Sequence, residues 1–207
     1  MLPFTTDQFF AVFASYNAAI WPAQLGAYLV GAAALAFALR GGRLAGRVVP
    51  AALAAMWLWT GAAYHLLHFA AINPAARLFG GAFLLQELLF LGAAASGRPL
   101  AFGPMRGGSR RSFGLFLVAY AAVLYPLLGR LVGHPWPEVP SFGVTPCPVT
   151  IFTFGVLLLA RGRGSAWLLA VPALWAMIGG SAAVLLAVPQ DWMLLAGGDA
   201  AAGVPLP

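Results

Sequence analysis

The sequence contains no lysine, and only 8% of its 207 residues are charged. A soluble globular domain carries about 25% charged residues, so this chain lacks the polar surface that such a domain needs. Hydrophobic residues instead make up 62% of the sequence. This composition indicates an integral membrane protein.

Further absences narrow the functional classes. Because Cys147 is the only cysteine, the chain excludes an internal disulfide, a CxxC redox pair and a cysteine-cluster metal site. No phosphate-binding glycine-rich loop, GxSxG motif or HExxH motif occurs. The net charge of +6 comes from sparse arginines between apolar runs, which membrane orientation explains better than nucleic-acid binding. The N-terminus MLPFTTDQFF lacks the basic start of a signal peptide, so no cleavage is expected.

The apolar runs predict an all-α fold, a single transmembrane domain over residues 1–207. A hydrocarbon core of about 30 Å requires roughly 20 apolar residues per helix. The six predicted transmembrane helices lie near residues 22–39, 48–69, 74–96, 112–132, 146–160 and 165–188. The C-terminal residues 197–207, GGDAAAGVPLP, are predicted to be unstructured.

An additional N-terminal helix is predicted over residues 5–20. Thr5 or Thr6 is a suitable N-cap, and Asp7 lies near the positive end of the helix dipole. The segment is too short to cross the bilayer comfortably. We therefore expect an interfacial helix or one folded back into the bundle, whereas a seventh span would reverse the side of the N-terminus.

The arginines predict the orientation of the bundle. Nine of the eleven fall in the connections on one side of the membrane: Arg40, Arg43, Arg47, Arg98, Arg106, Arg110, Arg111, Arg161 and Arg163. The positive-inside rule assigns that side to the cytoplasm. Both termini then face the outer, non-cytoplasmic side. The acidic residues outside the spans fall on this outer side: Asp7, Glu138, Asp191 and Asp199.

The fifth predicted span follows a proline-rich segment, GHPWPEVPSFGVTPCPVT, over residues 133–150. Residues 146–160 would make a helix of about 22 Å, which is shorter than the hydrocarbon core. Thr145 suits an N-cap and Pro146 suits the first turn. The segment is therefore predicted to dip into the membrane and form the floor of an outward-facing cavity. A turn with Cys147 as a small buried hydrophobe is the alternative.

Several polar side chains are predicted near this outer face. His65 and His68 lie at the outer end of the second span, on the same side of the membrane as Cys147 and His134. A thiolate with imidazole ligands suits zinc or copper(I), and Glu138 is a further carboxylate ligand. The alternative is that these histidines belong to an interfacial aromatic belt.

Glu87 is the one acidic residue inside a predicted span. An ionisable group at that depth is costly unless it is paired, neutral or in a cavity, and it marks a functional candidate. The alternative role is a neutral carboxyl that hydrogen-bonds to a neighbouring helix. Both hypotheses predict that Glu87 faces the interior of the bundle.

Three stretches, FTTDQFFAVFASYNAAIWPAQ, INPAARLFG and GHPWPEVPSFGVTPCPVTIFTFG, support a resemblance that covers nearly the whole chain. Together they resemble an uncharacterised family of bacterial multi-pass membrane proteins, a domain of unknown function. The resemblance implies a six-helix inner-membrane protein. It implies no activity and no site residues.

The leading functional hypothesis is a transporter or channel for a small solute or metal ion. Its outward-open polar cavity would be built from Tyr64, His65, His68, Glu87, His134, Glu138 and Cys147. A zinc or copper ion would be held by His65, His68 and Cys147. The alternatives are a membrane-embedded metal- or quinone-linked enzyme and a non-catalytic accessory subunit. The expected partners are the lipid bilayer and the solute or ion, with a homo-oligomer as an option and nucleic acid excluded.

Overall fold

The computed structural model describes residues 2–104, 107–161, 166–186 and 188–202. Within these ranges the chain is all-α, as predicted, and forms no β-strand beyond a single bridge between Ala101 and Arg161. Arg106 and Arg163, on which part of the orientation argument depends, lie outside the described residues.

The helices are α1 (Thr6–Ala19), α2 (Ala23–Arg40), α3 (Ala45–Trp59), α4 (Ala76–Ala95), α5 (Ser109–Ala119), α6 (Tyr125–Leu131), α7 (Pro146–Leu158), α8 (Ala170–Leu185) and α9 (Trp192–Ala202). Two π-helical segments adjoin these α-helices. Thr60–Leu66 extends α3, and Tyr120–Leu124 joins α5 to α6. Short 3-10 helices occur at Phe69–Ala71, Ala166–Leu169 and Pro189–Asp191.

Four helical segments are long and apolar enough to cross a membrane: Ala23–Arg40, Ala76–Ala95, Ser109–Leu131 and Trp167–Leu185. Large apolar side chains are exposed on these segments, and Leu131, for example, is 81% exposed. Such surfaces are expected where a helix contacts lipid. The fold is therefore consistent with a membrane protein.

The predicted N-terminal helix is present and folds back onto the bundle. Thr5 Oγ1 accepts a hydrogen bond from the Gln8 N–H at 3.2 Å, and Gln8 Oε1 accepts one from the Thr5 N–H at 2.9 Å. This capping box fixes the start of α1. One side of α1 is buried against the bundle: Phe9, Phe10, Val12, Phe13, Tyr16 and Asn17.

The buried side of α1 holds the proline-rich segment in place. Asn17 Nδ2 donates hydrogen bonds to the carbonyls of Pro137 (2.7 Å) and Val139 (2.8 Å). The Tyr16 hydroxyl donates to the Val144 carbonyl at 2.7 Å. These side chains satisfy carbonyls of a segment that has no regular secondary structure.

Helix α7 differs from the predicted fifth span. It ends at Leu158, and every residue from Pro146 to Leu158 is buried. A helix enclosed on all sides has no surface left for lipid, so α7 is a core element. Its first turn is recessed within the protein, whereas its depth in a membrane stays a prediction. The Thr145 hydroxyl, however, donates to the Ser141 carbonyl at 2.7 Å and does not cap the helix.

The predicted unstructured C-terminus is partly wrong, because Trp192–Ala202 forms α9. Gly197 lies so close to Phe154 of α7 that a Cβ atom would approach the ring to 2.8 Å. Packing against α7 therefore orders a sequence whose glycines favour flexibility. Residues 203–207 of that predicted tail lie outside the described residues.

Close contact between α5 and α7 depends on two glycines. A Cβ atom on Gly155 would lie 2.8 Å from the Gly114 carbonyl oxygen and 2.9 Å from the Val118 nitrogen. Both atoms belong to the backbone, which cannot move without shifting the helix. Small residues thus allow the two helices to approach.

We expect Gly155→Ala to destabilise the protein by about 1–3 kcal/mol, the usual cost of overpacking a core. The measurement is the thermal unfolding midpoint of the full chain in detergent. Gly92→Ala is the matched control, because Gly92 lies on an exposed side of α4 with no atom within 4 Å of an added Cβ. Equal midpoints for the two variants would contradict a tight α5–α7 contact.

Candidate functional site

A cavity of about 130 Å³ lies where the start of α7 meets α1, α4 and the end of α8. Its lining residues are Leu2, Phe4, Phe9, Phe13, Tyr64, Phe69, Asn73, Phe79, Pro146, Cys147, Trp175, Ile178, Gly179, Ser181, Leu185, Leu186 and Asp191. Seven of these are aromatic. The walls are therefore largely apolar, with a few polar groups at defined positions, as in many small-molecule sites.

The polar floor of the cavity is formed by Cys147 and Asp191. Asp191 is 1% exposed and Cys147 is 9% exposed. The Cys147 thiol lies close enough to Asp191, Tyr125 and Trp175 for polar interactions. Behind the floor, the Tyr125 hydroxyl donates a hydrogen bond of 2.5 Å to Asp191 Oδ1. A carboxyl, a thiol and a phenol thus share one buried cluster.

The π-helical segment between α5 and α6 positions this cluster. In an α-helix, residues five apart point about 140° away from each other. The extra residue of the π turn instead lets Tyr120 and Tyr125 both reach the turn Pro189–Asp191. The Tyr120 hydroxyl donates to the Gln190 carbonyl at 2.9 Å, while Tyr125 bonds Asp191. The two tyrosines therefore anchor both the backbone and the side chain of this turn.

Asp191 is a buried acid that lacks a cationic partner among the described residues. Within the described part of the chain, no arginine or histidine forms an ion pair with it. Burial raises the pKa of Asp191 from 3.8 to about 7, while the hydrogen bond from Tyr125 and the polar contact with Cys147 act in the opposite direction. Because the folded-state pKa is raised, the free energy of unfolding falls as the pH rises from about 3.8 to about 7, and it falls no further above that, where the carboxyl is ionised in both states.

Two of the sequence-predicted site residues, Tyr64 and Cys147, line the cavity. His65 lies beside it. The His65 ring is fully buried, with its centroid 4.7 Å from that of Phe83 and 5.1 Å from that of Trp175. Neither ring nitrogen of His65 has a hydrogen-bond partner within the described residues.

The other predicted histidines make separate contacts. His68 Nδ1 lies 2.7 Å from the Ala63 carbonyl oxygen. His134 Nδ1 lies 3.3 Å from Glu138 Oε2, and the His134 ring stacks on Phe10 with centroids 3.5 Å apart. His68, His134 and Glu138 are not among the residues that line the cavity.

Glu87 is 8% exposed and lies on the buried side of α4 beside Gln86. The Gln86 amide donates to the Leu168 carbonyl at 3.0 Å, which ties α4 to the segment before α8. Glu87 does not line the cavity either. The metal hypothesis also lacks support, because the described residues contain no group of three His, Cys, Asp or Glu side chains placed to hold one ion.

Sequence reasoning places Asp191 on the outer side but does not predict that it lines this cavity. The available signal was an acidic residue enclosed between apolar neighbours, Val188 before it and Trp192-Met193-Leu194 after it. Tyr125 and Trp175 carried no such signal, because aromatic residues are common in apolar spans. Only the fold brings these three distant positions to Cys147.

A family model matches residues 6–205, nearly the whole chain, and its description is a family of unknown function (DUF6064). The chain belongs to this family. No curated protein and no solved structure shows significant similarity to it.

We expect Tyr125→Phe to raise the pKa of Asp191 further, by an amount on the order of one unit, because a hydrogen bond that stabilises the carboxylate is lost. The measurement is an infrared titration of the buried carboxyl band, identified by its absence in Asp191→Asn. Tyr120→Phe is the control, since its hydroxyl bonds a carbonyl and not the acid. An unchanged midpoint in Tyr125→Phe would refute the assigned hydrogen bond.

Proposed function

We propose that this member of the DUF6064 family is a membrane carrier for a small solute, which binds in the cavity above Cys147 and Asp191. The proposal rests on one observation: a buried carboxyl and a buried thiol form the floor of a largely apolar cavity. Ionisable groups kept inside a membrane protein are costly, and they usually mark a substrate or ion pathway.

The size of the cavity supports a small organic solute. An engineered apolar cavity of about 150 Å³ holds benzene, and the cavity here measures about 130 Å³. A solute, or the end of a solute, about the size of a six-membered ring would therefore fill it. The absence of a three-ligand cluster among the described residues favours such a solute over a metal ion.

The surroundings of the cavity support a carrier over an open channel. Near the mouth, Leu2, Ser181 and Leu185 line the cavity and are exposed. Below the floor, the rest of α7 is buried. There the Trp57 indole donates to the Thr153 hydroxyl at 2.9 Å. Passage beyond Cys147 would therefore require a conformational change, as in alternating access.

The proposal includes a six-span topology in a bacterial inner membrane, with both termini periplasmic. The spans are α2, α3 with its π-helical extension, α4, α5 to α6, α7 and α8, with α7 recessed beneath the proline-rich segment. The arginine distribution supports this orientation. The cavity would then open towards the periplasm.

Reporter fusions test the topology. We expect alkaline phosphatase fused after Pro207 to be active and the same enzyme inserted within residues 41–47 to be inactive, because it folds only in the periplasm. Green fluorescent protein at the same two positions should give the opposite pattern. Phosphatase activity at residues 41–47 would overturn the proposed orientation.

The only cysteine allows the carrier proposal to be tested directly. We expect the membrane-impermeant cationic reagent 2-(trimethylammonium)ethyl methanethiosulfonate to modify Cys147 in both right-side-out and inside-out vesicles, because a carrier exposes its site to each side in turn. Labelling is quantified by mass spectrometry of the intact protein. Modification from the periplasmic side alone would indicate a one-sided pocket and would contradict a carrier.

A pair of α8 variants shows whether the reagent enters through the cavity. We expect Ser181→Trp, at the mouth, to slow periplasmic labelling roughly tenfold, or about 1.4 kcal/mol in barrier. Val184→Trp is the matched control, because Val184 is exposed on the same helix but does not line the cavity. Equal slowing by both variants would show that the reagent reaches Cys147 by another route.

A further inference from the structure

We infer that the solute is a small organic cation, an amine or quaternary ammonium compound whose charge meets the Asp191 carboxylate and whose alkyl groups contact the aromatic walls. The inference rests on the proposed function, since it uses the same cavity. It adds the chemical class of the solute and the way in which protons compete for its site.

The walls of the cavity suit a cation. Aromatic rings surround the space above the floor, and neighbouring rings lie in contact. The Phe13 and Tyr64 centroids are 5.1 Å apart, and those of Tyr64 and Phe69 are 5.6 Å apart. Among the other lining residues, the Phe79 and Trp175 centroids are 5.4 Å apart. Aromatic rings attract cations, quaternary ammonium groups among them, and seven aromatic residues line this cavity.

The negative charge of the ionised Asp191 favours a positively charged solute. Asp191 lines the cavity, and none of the described arginines or histidines does. An anion would therefore meet a carboxyl group and no base. A neutral solute would supply no counter-ion to the ionised form of Asp191, and an unpaired buried charge is costly. A cation supplies the partner that the described residues do not provide.

Protons compete with the cation at this site. Burial raises the pKa of Asp191 to about 7, so a large share of the carboxyl is protonated at neutral pH. The groups that face it are Tyr64, Tyr120, Tyr125 and Cys147. Their ordinary forms at that pH are neutral, so none replaces the missing counter-ion. Binding of a cation should therefore release up to one proton from Asp191 to water.

The experiment compares two probes of equal shape on the purified full-length protein. Choline carries a trimethylammonium group, and 3,3-dimethylbutan-1-ol replaces its nitrogen by carbon. Binding is measured by calorimetry at pH 8 and pH 6. We expect choline to bind more tightly than the alcohol at pH 8 and about tenfold more weakly at pH 6 than at pH 8, since a pKa of about 7 leaves roughly a tenth of Asp191 ionised there.

Variants separate the role of the charge from that of the shape. We expect Asp191→Asn to abolish the preference for choline and its pH dependence while the alcohol still binds. Asp199→Asn is the matched control, because Asp199 is an exposed acid outside the cavity. If Asp191→Asn does not fold, the comparison of the two probes on the unmodified protein still decides the matter.

Each outcome has a distinct meaning. Equal binding of the two probes, or choline binding that does not depend on pH, overturns the cation inference and leaves the proposed carrier intact. Binding of neither probe also overturns the inference. The vesicle labelling of Cys147 then shows independently whether the carrier proposal fails with it.

Discussion

The enclosure of α7 is the constraint on which the rest of the structure depends. Every residue of its first turn is buried, and an unsatisfied backbone N–H is costly in such surroundings. Pro146 and Pro148 have no N–H, so they reduce the number of donors that need a partner there. The prolines make the recessed start possible, and the cavity lies against that start.

The recessed start also explains the function of α1. A proline-rich segment that descends to α7 leaves carbonyl groups without helical partners. Asn17 and Tyr16 donate to those carbonyls, and the Trp59 indole in turn donates to the Tyr16 hydroxyl at 3.0 Å. This network fixes α1 across the proline-rich segment. Phe9 and Phe13 then form one wall of the cavity, so the same helix stabilises the segment and shapes the site.

The sequence predicts the part of this architecture that depends on local patterns. Apolar runs locate the helices, Thr5 marks the start of α1, and the short fifth run predicts a recessed α7. The cluster itself depends on tertiary contacts. Tyr125, Cys147 and Asp191 are far apart in sequence, and a π turn, which the regular helical period does not predict, aligns the tyrosines. The order of α9 likewise comes from packing against α7 and not from its glycine-rich sequence.

The arrangement around Asp191 differs from that of a purely structural acid. Tyr125 donates a hydrogen bond to it and Cys147 adds a polar contact, which lowers the cost of ionisation without cancelling the charge. A buried structural carboxylate is usually paired with a cationic side chain, and the chain has eleven arginines. None of the described arginines forms an ion pair with Asp191. Arg110, for example, donates to the Ala160 carbonyl at 3.0 Å. Near neutral pH the fold thus accepts both the protonated and the ionised form of Asp191. A site that exchanges a proton for a cation requires this balance, because a fully paired carboxylate would bind neither.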